Sequence, residues 1–158
     1  MIHYPTMHDV PDLARIHVQA WAETYTGLLP DAEIQSYDIA LRTAQWRNQI
    51  ENGTTTIAYS PGMGFAQSGP QRDKALAKAG YPFELYAIYL LRAAQGQGLG
   101  SELFEAVRPK GAFTALVLDG NAGANNFYER RGGTIIDVRP EMVGNTPIIE
   151  RVYGWREA

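Results

Sequence analysis

Residues 84–104 read Glu84-Leu-Tyr-Ala-Ile-Tyr-Leu-Leu-Arg-Ala-Ala-Gln-Gly-Gln-Gly-Leu-Gly-Ser-Glu-Leu-Phe104. The most apolar segment of the chain, Phe83 to Leu91, runs into a loop in which Gly96, Gly98 and Gly100 alternate. The loop opens a short helix, Gly98 to Arg108, stopped by Pro109. The pattern is strand, glycine loop, helix. Glycine adopts positive φ and lets the backbone approach a ligand closely. The first N–H groups of a helix lack internal partners, and the helix dipole adds partial positive charge. Together they make an anion site that needs no lysine. A flexible turn is the plainer account of the same glycines. A Walker loop would place lysine after the last glycine, and none is there. A dinucleotide loop is Gly-x-Gly-x-x-Gly, whereas this one is Gly-x-Gly-x-Gly. Asp119 nevertheless stands at the end of the next strand, where a ribose-binding acid would sit, so the dinucleotide reading is the competitor.

Outward from the loop, the chain reads as β, two helices, three strands, helix, strand, helix, two strands. Ile2 to Tyr4 is a short first strand, and Thr6 to Asp9 has capping-box spacing. Val10, Leu13, Ala14, His17, Ala20 and Trp21 follow at helical spacing until Gly27 and Pro30 break the pattern. A second helix covers 31–51, with Asn52-Gly53 as its stop. Strands are expected at 54–59 and 63–67 around the Pro61-Gly62 turn. Residues 68–82, rich in Gly, Pro and charge, read as a long loop. Phe113 to Leu118 is a buried strand and Asn121 to Arg131 a helix closed by Gly132-Gly133. Strands at 134–138 and 148–155 flank a turn at Gly144-Asn145. This order predicts a mixed α/β sheet with helices on both faces.

The 158 residues suit one domain, 1–158. Hydrophobic residues make up 45% and charged residues 20%, as in globular proteins, and no apolar run approaches the length of a membrane span. With a net charge of −3 and no basic run, a nucleic-acid surface is not expected. Met1 to Val10 lacks the pattern of a secretory signal. Cysteine is absent, which excludes disulfides and thiol nucleophiles and suits a reducing cytoplasm. His3, His8 and His17 show no metal-ligand spacing, so no metal is expected.

On three motifs the sequence resembles the GCN5-related N-acetyltransferase (GNAT) family. Its phosphate loop, Gln/Arg-x-x-Gly-x-Gly/Ala, is matched by Gln95, Gly98 and Gly100. The downstream pattern Asn-x-x-Ala-x-x-Phe-Tyr-Glu-x-x-Gly is matched by Asn121, Ala124, Phe127, Tyr128, Glu129 and Gly132. Small bacterial members also carry the N-terminal Trp21-x-x-x-Tyr25-x-Gly27-Leu-Leu-Pro30 and the closing Tyr153-Gly154-Trp155. The motifs stand in the right order over essentially the whole chain. Ala94 and Gln97 occupy places that are often basic, and Gly123 replaces a frequent arginine.

The resemblance implies a mostly antiparallel sheet of about six to seven strands, splayed in the middle. It implies acetyl-coenzyme A as acyl donor and a primary amine, most simply a small molecule, as acceptor. Without cysteine the acetyl group would pass directly in a ternary complex. The pantetheine would lie along Ile88, Tyr89, Leu90 and Leu91, with an N–H near Leu90 or Leu91 polarising the thioester carbonyl. The phosphates would take Gln95, Gly96, Gln97, Gly98, Leu99, Gly100 and Ser101, with Arg92 nearby, and Asn121 and Asn125 would help hold the cofactor. Glu84 is the expected base, because an amine with a pKa of about 10.4 must first lose a proton. Tyr128 is the expected acid for the leaving thiolate. Trp21, Tyr25 and Tyr86 would wall the acceptor site together with the turn near Gly144. Solvation of Glu84 at a strand end, packing of Tyr128 and Trp21, and helix capping by Asn121 are the structural alternatives. Homodimers are frequent in the family. A non-catalytic acyl-coenzyme A sensor on the same fold is the other functional reading.

Overall fold

The structure is a computed structural model that describes residues 1–156. A 3₁₀ turn, Met7–Asp9, leads into α1 (Val10–Tyr25), and the Asp9 carboxylate accepts the Thr6 N–H at 2.8 Å. Pro11 sits in the first turn of α1, where its missing N–H costs nothing. The helix expected over 31–51 is two helices, α2 (Asp31–Ser36) and α3 (Ile39–Asn52). Tyr37 leaves helical geometry, and Asp38 restarts it by accepting the Leu41 N–H at 2.9 Å. Ile2–Tyr4 is not a strand of its own; His3 makes one antiparallel bridge to Tyr59.

Strands β1 (Thr56–Ser60) and β2 (Gly64–Pro70) form the expected hairpin. The stretch 68–82 is not a plain loop. It completes β2 and then forms α4 (Lys74–Lys78), whose Ala75 and Leu76 N–H groups are capped by the Asp73 carboxylate. Next come β3 (Phe83–Leu90), α5 (Leu99–Val107), β4 (Phe113–Leu118) and α6 (Ala122–Arg130). The chain closes with a hairpin of β5 (Thr134–Val143) and β6 (Thr146–Trp155). Six strands lie in one sheet in the order β1-β2-β3-β4-β6-β5, and every neighbouring pair is antiparallel except β3 and β4. This is the mixed, mostly antiparallel sheet expected.

The pleat sorts side chains into two cores. Ala58, Ala66 and Leu85 pack on one face against Leu103, Phe104 and Val107 of α5 and Tyr128 of α6. Ile57, Tyr59 and Phe65 pack on the other against Leu13 and Ile16 of α1 and Trp46 of α3. No helix among the described residues is long and apolar enough to cross a membrane.

Phe104 centres the α5 core, with ring centroids 6.1 Å from Phe113, 5.8 Å from Phe127 and 5.9 Å from Trp155. Phe104→Ala should therefore cost about 3–5 kcal/mol, read as a fall in the urea midpoint. A loss under ~1 kcal/mol would mean that Phe104 does not centre that core.

Candidate active site

β3 and β4 pair only through Phe83–Leu85 against Phe113–Ala115. Beyond that, β3 stays on β2 as far as Leu90, and β4 stays on β6 as far as Leu118. The strands diverge, and each turns an edge of N–H and C=O groups towards the gap. Tyr86 is the extra residue of a bulge in β3, since Gln67 pairs with Ala87 while Ser68 pairs with Leu85.

A cleft of about 730 Å³ lies at the divergence. It is a usual size for a small-molecule site. Ile88, Tyr89, Leu90, Gln95, Gly96, Gly98, Gly100, Ser101, Asn121 and Tyr128 all line it, so ten of the expected residues share one cavity. Gly96 and Gly98 are left-handed at φ 79° and 82°, and a Cβ on either would meet nothing within 4 Å. They are glycines for backbone reasons and not for space. Gly98 is the N-cap of α5 and offers no side chain, so the first N–H groups of the helix are left to the cleft.

Other expected residues have different work. Leu91 and Leu99 are buried. The Gln97 amide donates to the Ala93 carbonyl at 3.5 Å. Arg92 is committed to Glu23 of α1, through its backbone N–H to Oε1 and its Nη2 to the carbonyl, both at 2.8 Å. Asn125 is buried, and its Nδ2 donates to the carbonyls of Leu118, Asp119 and Asn121 while its Oδ1 accepts from Tyr153. That amide ties the end of β4 to α6. Asn121 caps α6 by accepting the Ala124 N–H at 3.2 Å and also faces the cleft. Asp119 accepts from Arg151 Nε at 2.6 Å, and β4 is followed by an antiparallel hairpin. Neither suits the dinucleotide reading.

Glu84 does not line the cleft. It is 4% exposed, at the paired end of β3, and holds Arg72 in a two-pronged ion pair at 3.1 and 2.8 Å. Its Oε1 also accepts the Arg72 N–H at 3.2 Å. A carboxylate so engaged has its oxygens occupied by Arg72 and lies outside the cleft. Tyr86 likewise turns away: its hydroxyl donates to the Pro70 carbonyl at 2.6 Å, and its ring stacks 3.8 Å from the Arg72 guanidinium.

Tyr128 is 5% exposed, and burial, seconded by the Tyr25 phenol, pushes its pKa well above the ordinary tyrosine value. It therefore keeps its proton at neutral pH. Tyr25 meets Tyr89 hydroxyl to hydroxyl at 3.0 Å across the gap between α1 and β3. Trp21 joins them, with ring centroids 4.5 Å from Tyr25 and 6.0 Å from Tyr89.

Two features escaped the sequence. Arg130 and Arg131, at the end of α6, line the cleft and supply the basic charge missing from the loop. Their doublet in the helix-closing position was the available signal. The other is Glu150, which faces Leu118 across β6 and β4, on the sheet face towards α1 and beside the divergence. Burial raises its pKa, with Glu141 as the second cause, and it lies near enough to raise that of Tyr25. Nothing in its local pattern marked it, because it alternates with Arg151 like any strand residue. No group of three or more acidic or histidine side chains among the described residues could hold a metal.

The Acetyltransferase (GNAT) family model matches residues 16–133. The uncharacterized N-acetyltransferase YuaI of Bacillus subtilis is 34% identical over 99 residues, an alignment covering 61% of this chain and 56% of that protein. The chain thus matches little more than half the length of that relative. Two solved structures share the fold. PaiA N-acetyltransferase of Thermoplasma acidophilum, in complex with coenzyme A, superposes with a TM-score of 0.66 at 18% identity, covering 97% of this chain and 98% of that one. YncA of Salmonella typhimurium, with its cofactor acetyl-CoA, gives 0.71 at 17% identity over 99% and 92%.

Because Gly98 is left-handed but uncrowded, Gly98→Ala should cost about 1–2 kcal/mol of folding stability through backbone strain alone, seen as a lower urea midpoint. An unchanged midpoint would mean that the loop does not need the left-handed turn.

Proposed function

This chain belongs to the GNAT acetyltransferase family, and from that premise we propose that it transfers the acetyl group of acetyl-coenzyme A to the primary amine of a small molecule by direct attack in a ternary complex. The observation that carries the reading is the divergence of β3 from β4 beside a glycine loop that opens α5. Coenzyme A-bound relatives with this fold support the same donor.

In this reading the pyrophosphate rests on the N–H groups that follow Gly98, assisted by Arg130 and Arg131. The pantetheine amides take the free edge of β3 at Ile88 to Leu90, in the manner of an added strand. An N–H at the end of β3 faces the thioester oxygen and stabilises the oxyanion as the amine attacks. The C–N bond forms, the C–S bond breaks, the thiolate takes a proton from the Tyr128 hydroxyl, and the second proton shed by the acetylated nitrogen returns through water to the Tyr128 phenolate. Burial suits that tyrosine to hold its proton until then. The ammonium first loses a proton to Glu150, directly or through water. Glu150 has a raised carboxylate pKa and stands beside the divergence, whereas Glu84 is held in an ion pair with Arg72 away from the cleft. A non-catalytic acyl-coenzyme A sensor would need neither group.

Acetyl-coenzyme A should bind in calorimetry, and an amine panel should release thiol. Tyr128→Phe should lower kcat about 100-fold or more and leave coenzyme A affinity within threefold. Equal turnover would remove its acid role. A base must be deprotonated to act, and the Glu150 pKa is raised, so kcat/KM should fall with decreasing pH above the ordinary carboxylate range. Glu150→Gln should abolish that limb while Glu84→Gln keeps it. The reverse pattern would return the base to Glu84.

A further inference from the structure

Arg42, in the first turn of α3, is 6% exposed, and among the described residues no carboxylate pairs with it. Its Nη1 donates to Gln45 Oε1 at 3.0 Å, but Nε and Nη2 are buried without a hydrogen-bond partner. The guanidinium carbon lies 4.4 Å from the Tyr37 ring and 4.9 Å from the Trp21 ring. Trp21 Nε1 is itself buried without a partner. Three orphaned nitrogens therefore gather in one place, and all three are donors. The neighbouring His17 does not supply the missing acceptor. Its Nδ1 already accepts from Trp46 Nε1 at 3.1 Å, and burial together with the Arg42 charge brings its pKa down to about 3, so the ring is neutral and its other nitrogen also carries a proton.

Burying an unpaired guanidinium is costly, and two aromatic faces offset only part of it. Glu84 shows the alternative in the same molecule: a buried charge with its partners in place. What the Arg42 cluster lacks is an oxyanion with several lone pairs. Its place in the fold says where that oxyanion comes from. Trp21 packs on Tyr25 and Tyr89, and Tyr89 both lines the cleft and packs against the α1-side core. With the phosphates at the glycine loop, as in the acetyl-transfer reading, this is the side left for the acceptor.

We propose that Arg42 and the Trp21 N–H bind a carboxylate of the acceptor, so that the acceptor is an amine carrying its own carboxylate, an amino acid or a close relative. The inference rests on the acetyl-transfer reading for the fate of the amine, and its test separates the two. Each of the common amino acids is offered beside its carboxamide and its decarboxylated amine, to wild type and to Arg42→Met. Turnover is read as thiol release from acetyl-coenzyme A. Binding is read apart from turnover, as the melting-temperature shift each compound gives with coenzyme A present.

In wild type, at least one free acid should exceed its amide and its amine about 10- to 100-fold in kcat/KM, the value of a charge-assisted hydrogen-bond pair. Arg42→Met should bring that ratio within threefold. The variant itself should melt at or above wild type, because an apolar chain of similar length replaces an unpaired buried charge. A structural arginine would instead lower the melting temperature and leave the acid preference intact, which would overturn the proposal. So would amines acetylated and bound without regard to their carboxylate; that result would leave acetyl transfer standing. Acid-selective binding lost in Arg42→Met, with no thiol released from any compound, would uphold the carboxylate site and refute acetyl transfer.

Discussion

Two neighbouring strands that part after three paired residues set the terms for everything around them. Backbone N–H and C=O groups cannot be buried without partners, so a parallel pair given up at Leu85 must open to water or to a ligand. The outer neighbours hold each strand in place: β2 follows β3 to Leu90, and β6 follows β4 to Leu118. At the end of β4 the chain fixes its own edge of the gap. One amide, Asn125 Nδ2, takes the carbonyls of Leu118, Asp119 and Asn121, and the Tyr153 hydroxyl completes it from β6. The cleft is thus a defect with fixed edges, which is why it can be open and still well shaped.

Charge is distributed around that defect in two ways. Where a charged side chain serves the framework, its partners are supplied. Glu84 has both prongs of Arg72 and a backbone N–H, and this pins 68–82 to the paired end of β3. Two other charged side chains lack such partners among the described residues. Glu150 is half-buried with a raised pKa, and Arg42 is buried with two nitrogens idle. Burial alone does not separate these cases, since Glu84 and Arg42 are almost equally hidden. The hydrogen-bond inventory does.

Much of the fold was legible because its signals are local. The capping spacing at Thr6–Asp9, the left-handed glycines and the apolar run of β3 each act within a few residues. The misread segments failed for equally local reasons. Asp38 and Asp73 are N-caps without a capping-box partner in sequence, so the pattern shows one helix where there are two, and a loop where α4 stands. The site was legible only in part. The loop and Tyr128 lie in contiguous motifs, and they do line one cleft. Glu84 was favoured because a carboxylate on a central strand needs a reason to be there. The reason is Arg72, twelve residues earlier, and no spacing rule reveals that pairing. Glu150 and Arg42 become visible only when β6 and α3 are brought beside α1.

The contact between Tyr25 and Tyr89 links these observations. Their hydroxyls meet at 3.0 Å where the α1 face and the cleft come together, and burial raises the pKa of both. Two phenols that keep their protons at neutral pH form a polar but uncharged threshold. On one side lie the glycine loop and the two arginines of α6; on the other lie Trp21, Arg42 and Glu150. On the proposed reading, a neutral threshold lets the cationic charge on each side act on its own anion, phosphate at one end and carboxylate at the other. The desolvation that keeps Tyr89 neutral is therefore as much a part of the site as any group that touches a ligand.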